Sequence, residues 1–278
     1  MRREAGIKYW NNTEILAIRR AALVVADIHQ ALREAIRPGI TTGELDDIAR
    51  EVLAAHGAKS NFYGYYGYPR QTCISVNDTV VHGIPGEEVL QPGDLVSLDC
   101  GAVLAGWHGD ACFTTVLPGG DPAVRQAREQ LSAVTEEALW YGIAAMAQEK
   151  YVGDIGRAID DYVMDISPAE RPDIVENFTG HGIGTAMHME PTVLNYRTRS
   201  RGARLRPGMV LCIEPIFTAG KQANYTLSDE WTVKTQDGSD ACHWEHEVAL
   251  HEGGIWVLSA PDGGAAELAR FGIIPAPL

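Results

Sequence analysis

The chain has 278 residues, of which 45% are hydrophobic and 22% are charged, a composition that can bury a substantial core. Its formal net charge of −14 disfavours direct binding to nucleic acid or to anionic membrane surfaces. The longest aliphatic run, 21–26, is too short to span a membrane, and residues 1–6 lack the apolar segment of a signal peptide. Scattered cysteines without a Cys-x-x-Cys pair argue against a disulfide framework or a zinc ribbon, so we expect a cytoplasmic protein.

Helical and strand-like segments alternate along the chain. In chain order they are a helix over 13–36 opened by Thr13, a second helix opened by the capping box Thr41–Glu44, strands within 72–103, a long helix from Asp121-Pro122 to about Gln148, a helix opened by Gly153-Asp154, and strands over 209–250 with a hairpin turn at Asp237-Gly238. No low-complexity tract or linker separates these segments. We therefore predict one domain over 1–278, with a short N-terminal extension at 1–12.

Three short motifs occur twice in the same order, which suggests two related halves. The matched pairs are Gly43-Glu44-Leu45 with Gly153-Asp154-Ile155, Asn61-Phe62-x-Gly64 with Asn177-Phe178-x-Gly180, and Pro92-Gly93 before Asp99 with Pro207-Gly208 before Glu214. Each match alone is weak, but three in one order predict a duplication. A pseudo-twofold axis between the halves would make Asp99 and Glu214 face each other.

Two aspartates lie in apolar segments on either side of one turn. Segments 95–100 and 109–113 predict a hairpin that turns near 104–106, with Asp99 and Asp110 directly opposite each other and their Cβ atoms ~5 Å apart. Two ionised carboxylates at that distance repel each other. Taken alone, the pair fits either a turn splayed into water or a clamp for cations.

Two glutamates in the second half favour the clamp. Glu214 and Glu245 lie in the apolar segments 210–215 and 244–250. Buried carboxylates need a partner, because desolvating a bare charge is strongly unfavourable. No comparable set of Lys or Arg lies near these acidic residues in the sequence. We therefore expect cations to balance them.

Three histidines lie beside glycine or proline turns, where a ligand can approach the backbone closely: His82, His181 and His188. The Gly-His-Gly-x-Gly segment around His181 could alone be a loop or an anion nest. Together with the carboxylates, one imidazole completes an oxygen-rich set suited to two ions of Mn²⁺, Fe²⁺, Co²⁺ or Zn²⁺. Two such ions can share and activate a water for attack on a carbonyl, which predicts amide hydrolysis.

These motifs resemble those of type I methionine aminopeptidases, from roughly Thr13 to Ser259. The signatures are Tyr68-Pro69, Cys73-Ile74-Ser75-Val76-Asn77, His82-Gly83-Ile84-Pro85, Gly180-His181-Gly182-Ile183-Gly184, Ile213-Glu214-Pro215 and Trp231-Thr232-Val233-Lys234-Thr235. The resemblance implies an α+β pita-bread fold of two pseudosymmetric halves, with antiparallel sheet covered by helices. It also implies a dimetal-dependent aminopeptidase that removes N-terminal methionine from peptides and nascent proteins and favours a small second residue.

The resemblance implies a role for each candidate residue. The metal ligands would be Asp99, Asp110, His181, Glu214 and Glu245, the last preferred to Glu247 because it directly precedes a histidine. Glu214 would also carry the proton to the leaving amine, His188 would hydrogen-bond the scissile carbonyl and its oxyanion, and His82 would contact the peptide nitrogen. The methionine pocket would be lined by Phe62, Tyr65, Tyr68, Cys73, Met187 and Trp231.

Four positions depart from the residue usual in the family, and none of them removes a ligand. Met187 stands in place of Phe, Phe62 in place of a smaller residue, Glu230 in place of Gly, and Glu247 in place of Thr. We expect these changes to affect pocket shape and entrance charge. The implied partners are the N-termini of peptides and nascent proteins. The ribosome is a further candidate, although the acidic balance does not favour docking on RNA.

Two alternative functions share the fold that the resemblance implies. A prolidase- or aminopeptidase P-like hydrolase is expected to carry a further N-terminal domain, for which there is no room before Thr13. A non-catalytic pita-bread module that binds partners is expected to have lost one or more metal ligands, whereas the full set is present here.

Overall fold

The computed structural model describes residues 6–278, so the N-terminal extension expected at 1–12 lies partly outside the described residues. The helices are α1 (Asn12–Ala35), α2 (Thr42–Ala55), α3 (Pro122–Gln148), α4 (Val152–Asp165) and α5 (Ala265–Leu268). The strands are β1 (Lys59–Ser60), β2 (Thr72–Val76), β3 (Thr79–Val81), β4 (Leu95–Leu104), β5 (Trp107–Val116), β6 (Asp173–Ile174), β7 (Gly180–Gly182), β8 (Met189–Val193), β9 (Met209–Ile213), β10 (Ile216–Thr218), β11 (Asn224–Thr226), β12 (Val233–Thr235), β13 (Ala241–His243), β14 (His246–His251) and β15 (Gly254–Val257). The predicted α+β class is confirmed.

Side chains at the N-termini explain where the long helices begin. Asn11 caps α1, because its side chain accepts a hydrogen bond from the Glu14 N–H at 3.0 Å and the Glu14 carboxylate accepts one from the Asn11 N–H at 2.8 Å. The predicted cap Thr13 is therefore wrong, since only Asn11 has a glutamate three residues later. The capping box that Thr41 begins opens α2 as predicted, and Asp121 caps α3.

The first sheet has the strand order β1-β4-β2, with β5 paired to β4. Strands β4 and β5 form a hairpin whose two-residue turn, 105–106, has positive φ at both positions (51° and 83°). Its register pairs Asp99 with Cys112 and Gly101 with Asp110. The prediction that the two aspartates lie directly opposite each other is wrong, because the hairpin turns one residue later than expected. They are instead diagonal neighbours on one face of the sheet.

The second sheet has the strand order β15-β14-β9-β7-β8. Three candidate ligands lie in or beside its inner strands: His181 is the middle residue of β7, Glu214 directly follows β9, and Glu245 directly precedes β14. An isolated antiparallel bridge between Cys112 and Glu245 links this region to β5 of the first sheet. The two sheets therefore meet where the candidate ligands lie.

Two three-stranded sheets, β13-β10-β6 and β11-β12-β3, complete the strand arrangement. A turn lies at residues 236–237, with Gly238 directly after it at φ 72°, and this segment joins β12 to β13. The hairpin predicted at this turn is wrong, because β12 pairs with β11 and β3 while β13 pairs with β10. The turn thus carries the chain from one sheet to another.

The helices pack on the sheets and enclose the core. Helix α1 packs on β4 and β5, and α3 packs on α4. The main cluster of buried hydrophobic side chains includes Ile28 of α1, Leu98 of β4, Leu139 of α3 and Leu211 of β9, so it draws on both halves of the chain. Between residues 6 and 278, none of the helices has the length and apolar character that crossing a bilayer requires.

Candidate active site

One cavity of about 140 Å³ is lined by every candidate site residue chosen from the sequence. The lining comprises the carboxylates Asp99, Asp110, Glu214 and Glu245, the imidazoles His82, His181 and His188, and the side chains of Phe62, Tyr65, Tyr68, Cys73, Met187 and Trp231. The carboxylates and His181 come from the strands at which the two large sheets meet. Folding therefore brings together groups from distant segments of the chain.

Close backbone packing explains the glycines on either side of His181. A Cβ at Gly180 would collide with the carbonyl oxygen of Cys212, and a Cβ at Gly182 would collide with that of Glu190. The Gly-His-Gly segment is thus an inner strand of a sheet and not a loop or an anion nest. It holds the His181 imidazole buried at the edge of the cavity.

Each of the four candidate carboxylates has a buried oxygen without a hydrogen-bond partner among residues 6–278. These atoms are Asp99 Oδ1, Asp110 Oδ1, Glu214 Oε1 and Glu245 Oε1. Burying an ionised oxygen of this kind without a compensating charge is strongly unfavourable in free energy. Because carboxylate oxygens with one imidazole form a hard ligand set, these residues fit divalent ions of the kind expected from the sequence.

The contact between His181 and Glu214 gives a second reason to place a cation here. Nε2 of His181 lies 3.4 Å from Oε1 of Glu214. Nδ1 of His181 lies 3.0 Å from the Gly182 carbonyl oxygen, which can only accept, so Nδ1 carries the proton. Burial lowers the pKa of His181 to about 3, so the ring is neutral and Nε2 presents a lone pair. A lone pair and an ionised carboxylate oxygen at this distance repel each other, so the pair must share either a proton or a cation.

Burial sets the protonation chemistry of the carboxylates. It raises the pKa of Asp99 to about 7. Burial first, and then repulsion from neighbouring carboxylates, raises the pKa values of Asp110, Glu214 and Glu245 well above the ordinary range. A bound cation acts in the opposite direction, because it favours the ionised forms.

Cys212 also borders the ligand cluster, and no sequence motif pointed to it. Its Sγ lies within 4.8 Å of ligand atoms of Asp110, His181 and Glu245. Burial raises the pKa of the Cys212 thiol well above its ordinary value, so the thiol is neutral. A neutral thiol is a poor ligand for hard cations, so Cys212 borders the ligand set without belonging to it. The available signal was its position two residues before Glu214, on the same face of a strand.

The apolar part of the cavity is a small buried cluster of its own. Phe62, Tyr68, Cys73 and Met187 form this cluster, and Trp231 packs against it. The rings of Tyr68 and Trp231 meet edge to face with centroids 5.0 Å apart. The Tyr68 hydroxyl shares its one proton between two backbone carbonyl oxygens, at 2.9 and 3.1 Å, which holds this wall of the pocket in place.

The two other candidate histidines lie on different segments of the cavity lining. His82 follows β3 with φ 58°, and its ring contacts those of Phe178 and Trp231 at centroid distances of 5.6 and 6.0 Å. His188 directly precedes β8, with its ring centroid 4.4 Å from that of His181. Burial lowers the pKa of His82 to about 4, so this imidazole is neutral near pH 7.

Four further residues line the cavity although the motifs did not select them: Val81, Phe178, Ile216 and His243. His243 is the most polar of them, and its Nε2 has no hydrogen-bond partner among the described residues. Burial lowers the pKa of His243 to about 3. Sequence signals point to two of the four, since His243 lies two residues before Glu245 and Phe178 belongs to a duplicated motif.

The two acidic departures from the family pattern have different surroundings. Glu247 is fully buried, and its Oε2 accepts a hydrogen bond from the backbone N–H of Asp110 at 3.1 Å. The expectation that it changes the entrance charge is wrong, because its side chain packs behind Asp110 and does not line the cavity. Glu230 is exposed beside Trp231 in a left-handed conformation, with φ 68°.

The four carboxylates and the buried imidazole, gathered where two of the four sheets meet, fit a metal-dependent hydrolase. The chain belongs to metallopeptidase family M24, whose family model matches residues 17–252. It is 46% identical to methionine aminopeptidase 1 from Mycobacterium tuberculosis over 88% of this chain and 92% of that protein. It is 40% identical to methionine aminopeptidase 1 from Bacillus subtilis over 88% of this chain and 96% of that protein.

Solved structures give the same result. The methionine aminopeptidase from Rickettsia prowazekii superposes with a TM-score of 0.85 at 30% identity, covering 91% of this chain and all of that chain (100%). The prolidase from Pyrococcus horikoshii has a TM-score of 0.68 at 18% identity over 63% of its length, which shows a shared fold alone. The predicted resemblance to methionine aminopeptidases, the pita-bread fold and a metal-dependent aminopeptidase activity are thereby confirmed.

Proposed function

We propose that this protein, as one catalytic unit over 1–278, removes the N-terminal methionine from peptides and nascent proteins and favours a small second residue. One observation carries the proposal: orphaned carboxylate oxygens and a buried aromatic pocket line the same cavity. The first feature suits hydrolysis that depends on cations. The second suits an apolar side chain at the residue that is cleaved off.

Five residues would hold two divalent ions, of the Mn²⁺, Fe²⁺, Co²⁺ or Zn²⁺ type: Asp99, Asp110, His181, Glu214 and Glu245. When bound, such ions balance the carboxylate charge, polarise a carbonyl and lower the pKa of water. His181 is prepared for this role, because the bond from Nδ1 to the Gly182 carbonyl oxygen directs the Nε2 lone pair toward Glu214.

Glu214 is the residue proposed to move the proton. Its side chain is 13% exposed and belongs to the cavity lining, so it can exchange a proton with a water molecule there. A carboxylate in this position takes the proton from the attacking water and delivers it to the amine that leaves.

Two imidazoles are proposed to contact the peptide. His188 donates a hydrogen bond to the scissile carbonyl oxygen, and this bond strengthens as negative charge develops on that oxygen. His82 is neutral and contacts the peptide nitrogen. Neither residue needs to bind an ion for these roles. Replacing either one should therefore leave metal binding intact, whereas replacing His181 should not.

The pocket is proposed to select methionine. A methionine side chain is long, unbranched and polarizable, and it makes favourable contacts with aromatic rings. Phe62, Tyr68 and Trp231 supply such rings, while Cys73 and Met187 supply sulfur-containing walls. Tyr65 completes the rim of this pocket. The preference for a small second residue comes from the family resemblance.

The test is hydrolysis of short peptides by protein loaded separately with Mn²⁺, Fe²⁺, Co²⁺ and Zn²⁺. We expect release of free methionine from Met-Ala-Ser, slower release from a peptide with a bulky second residue, and no release after exhaustive chelation. Cleavage of an Xaa-Pro peptide in preference to Met-Ala-Ser would favour the prolidase-like alternative. Absence of hydrolysis with every metal would favour the binding module.

The cytoplasm is the proposed site of action. The five cysteines are all free thiols, a form that a reducing compartment maintains. Substrates would be the N-termini of peptides and of nascent chains, met at the ribosome or after release. The net charge of −14 favours neither nucleic acid nor an anionic membrane as a direct partner.

A further inference from the structure

Tyr65 lies at the rim of the cavity in a loop, 62–68, that backbone hydrogen bonds hold firmly. The Tyr65 N–H donates to the Phe62 carbonyl oxygen at 2.9 Å, and the Gly64 N–H donates to the Tyr68 carbonyl oxygen at 2.8 Å. The buried Tyr68 hydroxyl ties the end of the loop to two further backbone carbonyls. The backbone of Tyr65 is therefore held at a defined place on the cavity rim, although the side chain is partly exposed.

The hydroxyl of Tyr65 lies 2.9 Å from Nδ1 of His188. The two rings have centroids 5.6 Å apart and are tilted by 59°. Within residues 6–278, this is the one hydrogen bond of the His188 ring that the structure contains. His181 packs edge-on against the same ring at 4.4 Å and limits its rotation. Tyr65 and His181 together orient the imidazole.

We propose that Tyr65 is a positioning residue for His188: its hydroxyl donates to Nδ1 and thereby keeps the ring proton on Nε2, where it can hydrogen-bond the scissile carbonyl oxygen. This inference rests on the proposed role of His188 as a donor to that oxygen. It gives Tyr65 a function through its hydroxyl, separate from the apolar contacts of the pocket.

The direction of the hydrogen bond follows from the proposed role of His188 together with the proton count of a neutral imidazole. Such a ring has one N–H donor and one lone pair, whereas a tyrosine hydroxyl can either donate or accept. If Tyr65 accepted a proton from Nδ1, Nε2 of His188 would have only a lone pair to offer. A carbonyl oxygen and an oxyanion accept only, so that arrangement could not bind them. Only donation from Tyr65 leaves a donor at Nε2.

The first test compares Tyr65→Phe with Tyr66→Phe in the Mn²⁺-loaded enzyme acting on Met-Ala-Ser. Both variants keep the aromatic ring, and Tyr66 is a matched control because it is the neighbouring tyrosine and is 86% exposed. We expect Tyr65→Phe to lower kcat about 3- to 10-fold, the effect of losing one neutral hydrogen bond, with little change in KM or metal content. Tyr66→Phe should match wild type. An effect of Tyr65→Phe on KM alone, or none, overturns the proposal.

The second test asks whether the hydroxyl acts through His188. In the His188→Ala background, Tyr65→Phe should have no further effect on kcat, whereas an undiminished effect overturns the proposal. ¹⁵N NMR of the Zn²⁺-loaded protein with labelled histidine reads the tautomer directly and needs no turnover. We expect an unprotonated His188 Nδ1 in wild type and a mixture of tautomers in Tyr65→Phe. A protonated Nδ1 in wild type overturns the inference, even where methionine release, and with it the proposed function, stands.

Discussion

Cys112 and Glu245 exchange two backbone hydrogen bonds, from the Cys112 N–H to the Glu245 carbonyl oxygen at 3.3 Å and from the Glu245 N–H to the Cys112 carbonyl oxygen at 2.9 Å. This bridge joins β5 of the first sheet to the segment between β13 and β14. Asp110 lies two residues from Cys112, on the same face of β5. The separation of the Asp110 and Glu245 carboxylates is thus set by main-chain pairing, so replacing one side chain should leave the others in place.

Asp110→Asn should abolish stoichiometric metal binding. The substitution keeps the size of the side chain but removes the charge that a hard cation requires. We expect activity on Met-Ala-Ser to fall by more than ~100-fold, which exceeds the loss typical of a group that merely orients a ligand. The measurements are metal content by elemental analysis and the rate of methionine release.

Asp46→Asn is the matched control for that experiment. Asp46 is also buried, but its Oδ1 already accepts hydrogen bonds from the backbone N–H groups of Gln71 and Thr72 and from the Thr72 hydroxyl. We expect this variant to lower the unfolding temperature while keeping the metal content of wild type. Equal metal content in both variants would remove Asp110 from the ligand set.

Metal affinity should fall as the pH is lowered from 8 to 6. Burial raises the pKa of Asp99 to about 7, above its ordinary value of 3.8, so below pH 7 an incoming cation must displace a proton from this group. His181 has its pKa lowered to about 3 and is neutral throughout this range, so it releases no proton. The apparent affinity should therefore drop up to about tenfold per pH unit for each proton displaced.

Calorimetric titration with Mn²⁺ in buffers of different ionisation enthalpy measures both quantities. We expect proton release on binding to be larger at pH 6 than at pH 8, and the metal to raise the unfolding temperature more at pH 8. An affinity that is independent of pH would show that no ligand carboxyl group has a raised pKa.

The sequence predicts part of this site, because some of its residues are marked by a local pattern and others depend on backbone conformation or strand pairing. Asp99, Glu214 and Glu245 stand out because each is an acidic residue in an apolar segment, which is a local signal in the sequence. The hairpin register was missed because it depends on Ala105 taking a left-handed conformation (φ 51°), which alanine rarely adopts. The sequence motifs do not select His243, because its place in the cavity depends on which strands pair, a property of the tertiary fold.

His188 and His181 should differ in what their removal changes. His188→Ala should keep metal stoichiometry and lower kcat by ~10²–10³-fold, the usual effect of removing one donor to a developing oxyanion. His181→Ala should lose metal, because it removes the lone pair that lies beside Glu214. Metal content and kcat measured on both variants distinguish the two roles. Metal loss in His188→Ala would mean that the two roles are exchanged.

Substitutions of Glu245 and Glu247 should also have different effects on metal binding, although both residues are buried and lie only two positions apart. Glu245→Gln should lose metal, since it removes the negative charge of a carboxylate whose Oε1 has no hydrogen-bond partner among residues 6–278. Glu247→Gln can still accept the hydrogen bond from the Asp110 N–H, so it should keep full metal stoichiometry, with at most the ~10–100-fold loss of affinity typical of a group that orients a ligand. Elemental analysis of the two purified variants tests this. The opposite pattern would identify Glu247 as the ligand.

Met187→Phe should sharpen the preference for methionine. Met187 is buried and packs with Phe62, Tyr68 and Cys73, so it forms part of the wall that contacts the bound side chain. Methionine is more flexible than phenylalanine, and one methylene in an apolar pocket is worth only ~1–3 kcal/mol, so a flexible wall weakens selectivity without reversing it. We expect wild type to prefer Met-Ala over Leu-Ala and the variant to prefer it more strongly.

The measurement is the ratio of kcat/KM for the two peptides. Met164→Phe is the control, because Met164 is 55% exposed and does not line the cavity. A ratio in Met187→Phe that matches wild type, or that shifts toward Leu-Ala, would show that this side chain does not form the selective wall.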